Sequence, residues 1–346
     1  MNDQKLYLIE FLRFFASLMV VIWHYQHFFL PYNSNSLIDI NSDYKLISLF
    51  NFYNIGLIGV YIFFCISGIV FSATYLNKEK ISINNFFSRR FARLYPLHLI
   101  TLIIVAIIQL CNIKIFGQYE IYHLNDLKHF FLNLFFISNW GFQDGESFNG
   151  PIWSVSTEIL VYIFFFFSIN FLNKSKYIFL ILILLFIMFI RKTFFDAILL
   201  DASFLFFSGV FIFRLYENKK KNFLGLVSLI SLLICFNGDF KILTFSIGIL
   251  SFIMLVENYI NLNSKTKKIF SFLGNFTYTS YLIHVPLQLI IIFMINLFNI
   301  EIIKFENFTV FIFFILIVYC LSYFIFYYFE KPLNKLIRNK LTNKES

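Results

Sequence analysis

Apolar residues gather in long runs separated by short polar loops. The runs lie near 6–29, 50–76, 92–113, 152–172 and 176–192, then near 195–215, 222–237, 240–260, 276–299 and 308–329. A helix crossing a bilayer needs about 20 mostly apolar residues. The pattern therefore predicts an all-α, polytopic membrane protein with about ten transmembrane helices. The first run carries Glu10 and Arg13 and is too long for a removable signal peptide. No internal repeat or Pro/Gly/Ser-rich linker marks a second domain. The expected organisation is one membrane domain over 1–332 and a short basic cytoplasmic tail over 333–346.

The positions of lysine and arginine orient this count. With Met1 in the cytoplasm, 20 of the 28 basic residues fall in inner loops and seven in outer ones. Cytoplasmic loops of membrane proteins carry that excess, so both termini are expected inside. The apolar stretch 127–140 is short for a span. Counting it as one would flip every later loop and put 14 of those basic residues outside. It is therefore expected as an interfacial or re-entrant helix in the outer loop 114–151, beside Glu120, Asp126, Asp144 and Glu146.

Composition agrees with lipid as the solvent. The chain is 59% hydrophobic and only 14% charged, with mean hydropathy +0.76, against roughly 25% charged residues in soluble domains. A net charge of +9 raises nucleic acid as a partner, but the cations sit in short loops, where they set orientation instead. The four cysteines, Cys65, Cys111, Cys235 and Cys320, lie far apart in apolar runs. Neither a disulfide framework nor a metal site is indicated.

Polar groups at membrane depth are costly, so they mark candidate chemistry. In the first run Arg13 and His24 are eleven residues apart and share one helix face with Ser17, roughly 16 Å apart along the axis. Snorkelling of Arg13 and an aromatic belt around His24 form the competing explanation. Arg89, Arg90 and Arg93 cluster at the cytoplasmic mouth of the third run. They serve either as a topology anchor or as a clamp for phosphates, which the planar guanidinium fork suits. The fourth run opens with Pro151, Trp153, Ser154, Ser156 and Thr157 before Glu158. Glu158 and His24 each lie about seven residues, roughly 10 Å, below the outer end of their helices. Asp201 shares that outer level. Tyr281 and His284 sit in the ninth run near Pro286, where a packing or kink role competes with a functional one. Gly56, Gly59, Ser67 and Gly68 would let helices approach closely.

The ordered set of these motifs resembles the acyltransferase-3 family of integral-membrane O-acyltransferases. Arg13 followed by His24 matches the family's basic residue, ten positions, then histidine. The stretch from Gly56 to Gly68 is similar to its second-helix signature. Arg90, Arg93 and Pro96 resemble its RxxR-x-x-P element, and Trp153, Ser154, Ser156 and Glu158 its Trp-Ser-x-Ser-x-Glu stretch. Tyr281, His284 and Pro286, then Phe329 through Pro332, resemble its C-terminal parts. Many members carry a second acidic residue after the fourth-helix glutamate, where this chain has Ile159. The additional C-terminal hydrolase-like domain of some members is expected to be absent.

The resemblance implies acyl transfer from an acyl-coenzyme A, usually acetyl-CoA, to a sugar hydroxyl of a surface glycan or lipid-linked saccharide, in a bacterial cytoplasmic membrane. On that reading Arg13, Arg89, Arg90 and Arg93 hold the anionic coenzyme, and His24 is the general base. Glu158 supports the imidazolium or positions the acceptor, and Trp153, Ser154, Ser156 and Asp201 line the acceptor site. Tyr281 and His284 remain further candidates. Direct transfer and an acyl-histidine intermediate both stay open, no metal is called for, and nucleic acid is not a partner. A transporter or flippase for a lipid-linked saccharide is the alternative from another class.

Overall fold

A computed structural model describes residues 5–29, 55–78, 81–175, 177–193, 198–237 and 241–342. They fold into helices with 3-10 or π turns between some of them. In chain order these are α1 (Tyr7–His24), α2 (Ile55–Tyr75), α3 (Ile83–Phe116), α4 (Leu127–Leu134), α5 (Ile152–Ser175) and α6 (Ile178–Thr193). There follow α7 (Ile198–Glu217), α8 (Lys221–Asn237), α9 (Lys241–Glu257), α10 (Ser264–Asn275), α11 (Thr277–Leu297), α12 (Phe308–Ile325) and α13 (Lys331–Thr342).

Each of the ten apolar runs is helical where it is described. Among the described residues, seven helices are long and apolar enough to cross a membrane. The remaining three, α6, α8 and α9, have 16 or 17 residues. At 1.5 Å per residue each reaches about 25 Å, less than the ~30 Å hydrocarbon core. Large apolar side chains such as Phe167, Phe186 and Leu229 are exposed, as lipid contact demands and water would not allow.

The chain divides into two compact units, with boundaries inside α1, α2 and α5, just before α3 and between α10 and α11. The first comprises Met1–Met19, Leu57–Lys80 and Thr157–Asn275. In it α2 and α7 meet backbone to backbone. A Cβ on Gly68 would lie 1.9 Å from the Phe206 carbonyl oxygen, and one on Gly209 would lie 2.1 Å from that of Cys65. Gly68, one of the small residues of the second run, thus serves the close approach expected of it. Phe71 fills the space below, stacked on Tyr162 at 4.1 Å between ring centroids and edge-on to Phe165 and Phe206.

The second unit comprises Val20–Gly56, Ile81–Ser156 and Phe276–Ser346. Here α3 packs against α11 and α13, and α11 against α12. Helix α3 is delimited by its caps: the Ser82 hydroxyl accepts from the Asn85 N–H, and Gly117 at φ 76° returns its N–H to Ile113. Those 34 residues give a rod of about 51 Å.

The apolar stretch 127–140 is helical only over eight residues, α4. Asp126 caps its start by accepting from the His129 N–H at 2.8 Å. The other end closes in a Schellman arrangement: Phe136 adopts φ 58°, its N–H bonds Asn133 O, and the Ile137 N–H bonds Leu132 O. Capped at both ends, α4 extends about 12 Å and cannot cross a bilayer.

Most of the segment expected as a basic tail is also helical. A π turn over Phe326–Glu330 leads directly into α13. Leu333, Leu336, Ile337 and Leu341 recur at helical spacing there; Leu333 and Ile337 are partly buried, and Leu336 and Leu341 are exposed.

Candidate functional site

His24 ends α1, and the 3-10 turn Tyr25–Phe29 carries His27 away from it. Both rings are buried, at 8% and 4% exposure. From α11 the fully buried His284 comes to 4.6 Å of the His24 ring, centroid to centroid, and His27 to 4.8 Å. Three imidazoles thus pack together, buried, in the second unit, with Trp23 edge-on to His24 and Tyr122 edge-on to His27. Among the described residues no cluster of His, Cys, Asp and Glu has the makings of a metal site.

The hydrogen bonds fix which ring nitrogen keeps its lone pair. His24 Nδ1 lies 2.8 Å from the Val20 carbonyl oxygen. A carbonyl only accepts, so Nδ1 carries the proton and a neutral ring keeps its lone pair on Nε2. His284 repeats the device, with Nδ1 3.0 Å from Ser280 O. One turn on from His284 along α11, the Gln288 amide donates to the His24 main-chain carbonyl at 2.7 Å and pins the end of α1.

Around this cluster the start of α5 is tied to α11. The Ser154 and Tyr281 hydroxyls are 2.6 Å apart, and both reach the Pro151 carbonyl. Asn149 donates to Leu282 O. Ser156 is fully buried and holds the preceding connection instead. Its hydroxyl accepts from the Asn139 N–H, and its carbonyl from the Trp140 indole. Trp153 is half-buried on the same helix.

The arginine cluster rides on the first turns of α3, partly buried. Arg89 has its Nε buried with no hydrogen-bond partner. Among the described residues no carboxylate pairs with Arg89 or Arg93. Helix α13 packs on α3 and carries Lys331, Lys335, Arg338 and Lys340, a basic element that sequence reasoning left as a tail.

Three expected site residues belong to the first unit, where each has a partner of its own. Arg13 pairs with Glu10 at 3.1 Å. Glu158 accepts from the Ser67 hydroxyl. Asp201 is buried, bonded by Arg191 through both carboxylate oxygens and by the Tyr61 hydroxyl at 2.6 Å. Sequence reading missed His27, Gln288 and Arg191 as parts of these clusters. For His27 a signal existed, since it stands three residues from His24.

The acyltransferase-3 profile, described as an acyltransferase domain, matches residues 6–327. The acyltransferase MdmB of Streptomyces mycarofaciens is 29% identical over 158 residues, a stretch covering 44% of this chain and 36% of that protein. The aligned part is thus well under two thirds of the relative's length. No solved structure matches. With nearly the whole helical region inside the profile, the chain belongs to the acyltransferase-3 family of membrane acyltransferases.

Proposed function

We propose that the protein transfers an acyl group, acetyl in the first instance, from cytoplasmic acyl-CoA to a hydroxyl of a surface or lipid-linked saccharide. The observation that carries this reading is His24: a buried imidazole whose Nδ1–H is committed to Val20 O, leaving Nε2 as the base. A sugar hydroxyl is far too weak an acid to react unaided, and a neutral imidazole is the side chain suited to take its proton.

The step balances simply. The hydroxyl proton passes to His24 Nε2 while its oxygen attacks the thioester carbonyl. The carbon–sulfur bond breaks, and the coenzyme leaves as thiolate, which takes the proton back from the imidazolium. No oxidant, metal or covalent enzyme intermediate is required. Arg89, Arg90 and Arg93 supply cations for the coenzyme's phosphates, a role supported by the absence of any carboxylate partner for Arg89 and Arg93 among the described residues. Trp153, Ser154 and Ser156 are proposed on the acceptor side. Arg13, Glu158 and Asp201 enter through their chemistry alone, as a further cation and two carboxylates to be tested singly.

The same reading takes the ten apolar helices as ten spans in a bacterial cytoplasmic membrane, both termini inside. The arginines then meet the coenzyme where it is made, and His24 lies towards the side where the glycan is. The domain is taken as 1–332, with the basic segment after it cytoplasmic. The test uses labelled acetyl-CoA and the glycan of the source cell, with wild type and His24→Ala at equal abundance. Loss of transfer by ~100-fold or more is expected for a general base; undiminished transfer overturns the assignment.

A further inference from the structure

His24 is 8% exposed, and Trp23, His27 and His284 pack on its ring. A hydroxyl must come within about 3 Å of Nε2 for its proton to pass. Some part of what covers the cluster therefore has to move. Trp23, His27 and His284 ride on α1, on the 3-10 turn that follows it and on α11, so displacing them displaces a helix. Tyr122 is carried differently. It belongs to the non-helical connection 117–126 between α3 and α4, and its ring lies edge-on to His27 at 5.6 Å. The far end of that ring rests on Gly150, where a Cβ would fall 2.2 Å from Cζ of Tyr122 and 2.3 Å from its hydroxyl oxygen. Glycine leaves room for the phenol, which thus spans from the histidines to the residue before Pro151.

The backbone that holds Tyr122 in place is strained. Ile121 adopts φ 64°, and the Tyr122 N–H closes the turn on Glu120 O at 2.7 Å. This is the rare form of γ-turn, centred here on a β-branched residue, for which positive φ is most costly. Such strain persists only where the surroundings over-determine it. Side-chain amides do so here. Gln109 holds the Glu120 main chain at its N–H and its carbonyl, at 3.1 and 2.7 Å. Asn125 donates to Tyr122 O at 2.6 Å and accepts from the Phe148 N–H at 2.7 Å. Asn296 and Gln118 donate to the Glu120 carboxylate. Opening the turn exchanges these bonds for bonds to water and releases the strain at Ile121, the balance that a two-state element needs.

We infer that Tyr122 is a gate on the acceptor side: the turn 120–122 swings away from His27 to admit the acceptor to His24 and closes behind it, keeping water from the thioester. In naming an acceptor and a thioester this rests on the transferase reading; the moving element stands on the geometry of residues 109–125, 148 and 150.

The experiment treats the full-length protein in detergent with diethyl pyrocarbonate and follows labelling of His27 by peptide mass spectrometry. Ile121→Ala and Ile121→Gly lose the same packing, but only glycine takes a positive φ without strain. His27 is expected to label roughly tenfold more slowly in Ile121→Gly than in Ile121→Ala, the factor that left-handed strain on one residue commands. His98, buried against Phe136, reports wider unfolding and labels alike in both. Tyr122→Ala speeds His27 labelling, and Tyr122→Phe, which keeps the ring, does not. Equal His27 rates in the two Ile121 variants, or an equal change at His98, overturn the gate. In the transfer assay Ile121→Gly shows the lower kcat/KM for the glycan with KM for acetyl-CoA unchanged, because fewer molecules are open at a time. The expected labelling without transfer from acetyl-CoA by any of the proteins keeps the gate and removes the transferase reading; transfer with equal labelling does the reverse.

Discussion

His24 and His284 face each other with ring centroids 4.6 Å apart, and each gives its Nδ1–H to the carbonyl four residues earlier in its own helix. The two rings arrive from α1 and α11 in the same tautomer for the same reason. Histidine at a helix position can bond the preceding turn, and in a low-dielectric bundle an unmade bond there is expensive. The consequence is two Nε2 lone pairs on adjacent rings, which rules out a direct bond between these two neutral rings at Nε2. Nitrogen-15 spectra of the reconstituted protein with labelled histidine are expected to show both rings protonated at Nδ1. An Nε2-protonated His24 would move the base to the other nitrogen and sink the geometry proposed for it.

Gln288 positions the end of α1 through the His24 carbonyl, at 2.7 Å. Gln288→Leu removes that bond and leaves the carbonyl unmet, a cost of about 1–3 kcal/mol. The expected signature is a fall in kcat greater than any change in KM for acetyl-CoA, because the proposed base is displaced and the proposed coenzyme site is not. Steady-state kinetics at saturating acceptor separates the two. An unchanged kcat means the bond does not position His24.

Asp201 and Arg191 form a buried pair, side chains 8% and 15% exposed, with Tyr61 as a third partner. Removing one charge from such a pair leaves the other uncompensated at about 3–5 kcal/mol, whereas removing both costs much less. Arg191→Met is therefore expected to lower Tm more than Arg191→Met with Asp201→Asn. Thermal unfolding of the two variants in one detergent decides it. Equal losses would mean that Asp201 does not depend on Arg191 for neutralisation.

Much of this was legible in the sequence, and the part that was not has physical causes. Runs of apolar residues announce helices wherever they exceed about four turns, so a helix could be placed at each run, but not the more polar α10 and α13. The same runs do not reveal where α4 stops, because Phe136 at φ 58° ends it without a glycine or proline to mark the turn. Single polar residues inside runs, His24, Glu158 and Asp201, stood out because burial of each is costly. Their partners did not, since Arg191 reads as a loop cation and Gln288 as an ordinary helix residue until three-dimensional packing brings them together. The resemblance carried the motif order; it said nothing of His27, which only the turn after α1 delivers.

Asp126 makes a prediction outside the spans. Its carboxyl is held below its usual range, chiefly by the backbone N–H of His129, whose ring nitrogen also lies 2.8 Å away. A depressed carboxylate stabilises the fold at every pH above its unfolded value near ~3.9 and loses that contribution as pH falls through the folded value. The cap on α4 is therefore intact at neutral pH and lost only in strong acid. Asp126→Ala removes it at all pH, at a cost of about 1 kcal/mol. Hydrogen exchange of the α4 amides at pH 7 is expected to quicken in Asp126→Ala and stay slow in Asp126→Asn, which keeps a capping oxygen. Equal exchange in Asp126→Ala and wild type would show that the Schellman end alone holds the helix.

The arginines of α3 give the last test, because their charge and their shape make separable demands. If Arg89 and Arg93 bind phosphates as forks, replacing either by lysine keeps the cation and loses the paired N–H geometry. Replacing either by glutamine loses both. The contribution is made to the bound coenzyme and to the transition state alike, so KM for acetyl-CoA rises while kcat holds. A charge-assisted bond of about 1.5–3 kcal/mol predicts a rise of roughly ten- to a hundredfold in Arg93→Gln, with Arg93→Lys in between. Wild-type KM also rises with salt, and Arg93→Gln shows a shallower dependence, since one screened attraction is gone. A topology anchor behaves otherwise: lysine restores it fully, and insertion suffers while the KM of the correctly inserted fraction does not change. Measuring KM alongside the accessibility of an engineered cysteine in the α7–α8 loop, near Lys219, in intact and opened cells distinguishes the two roles in one set of variants.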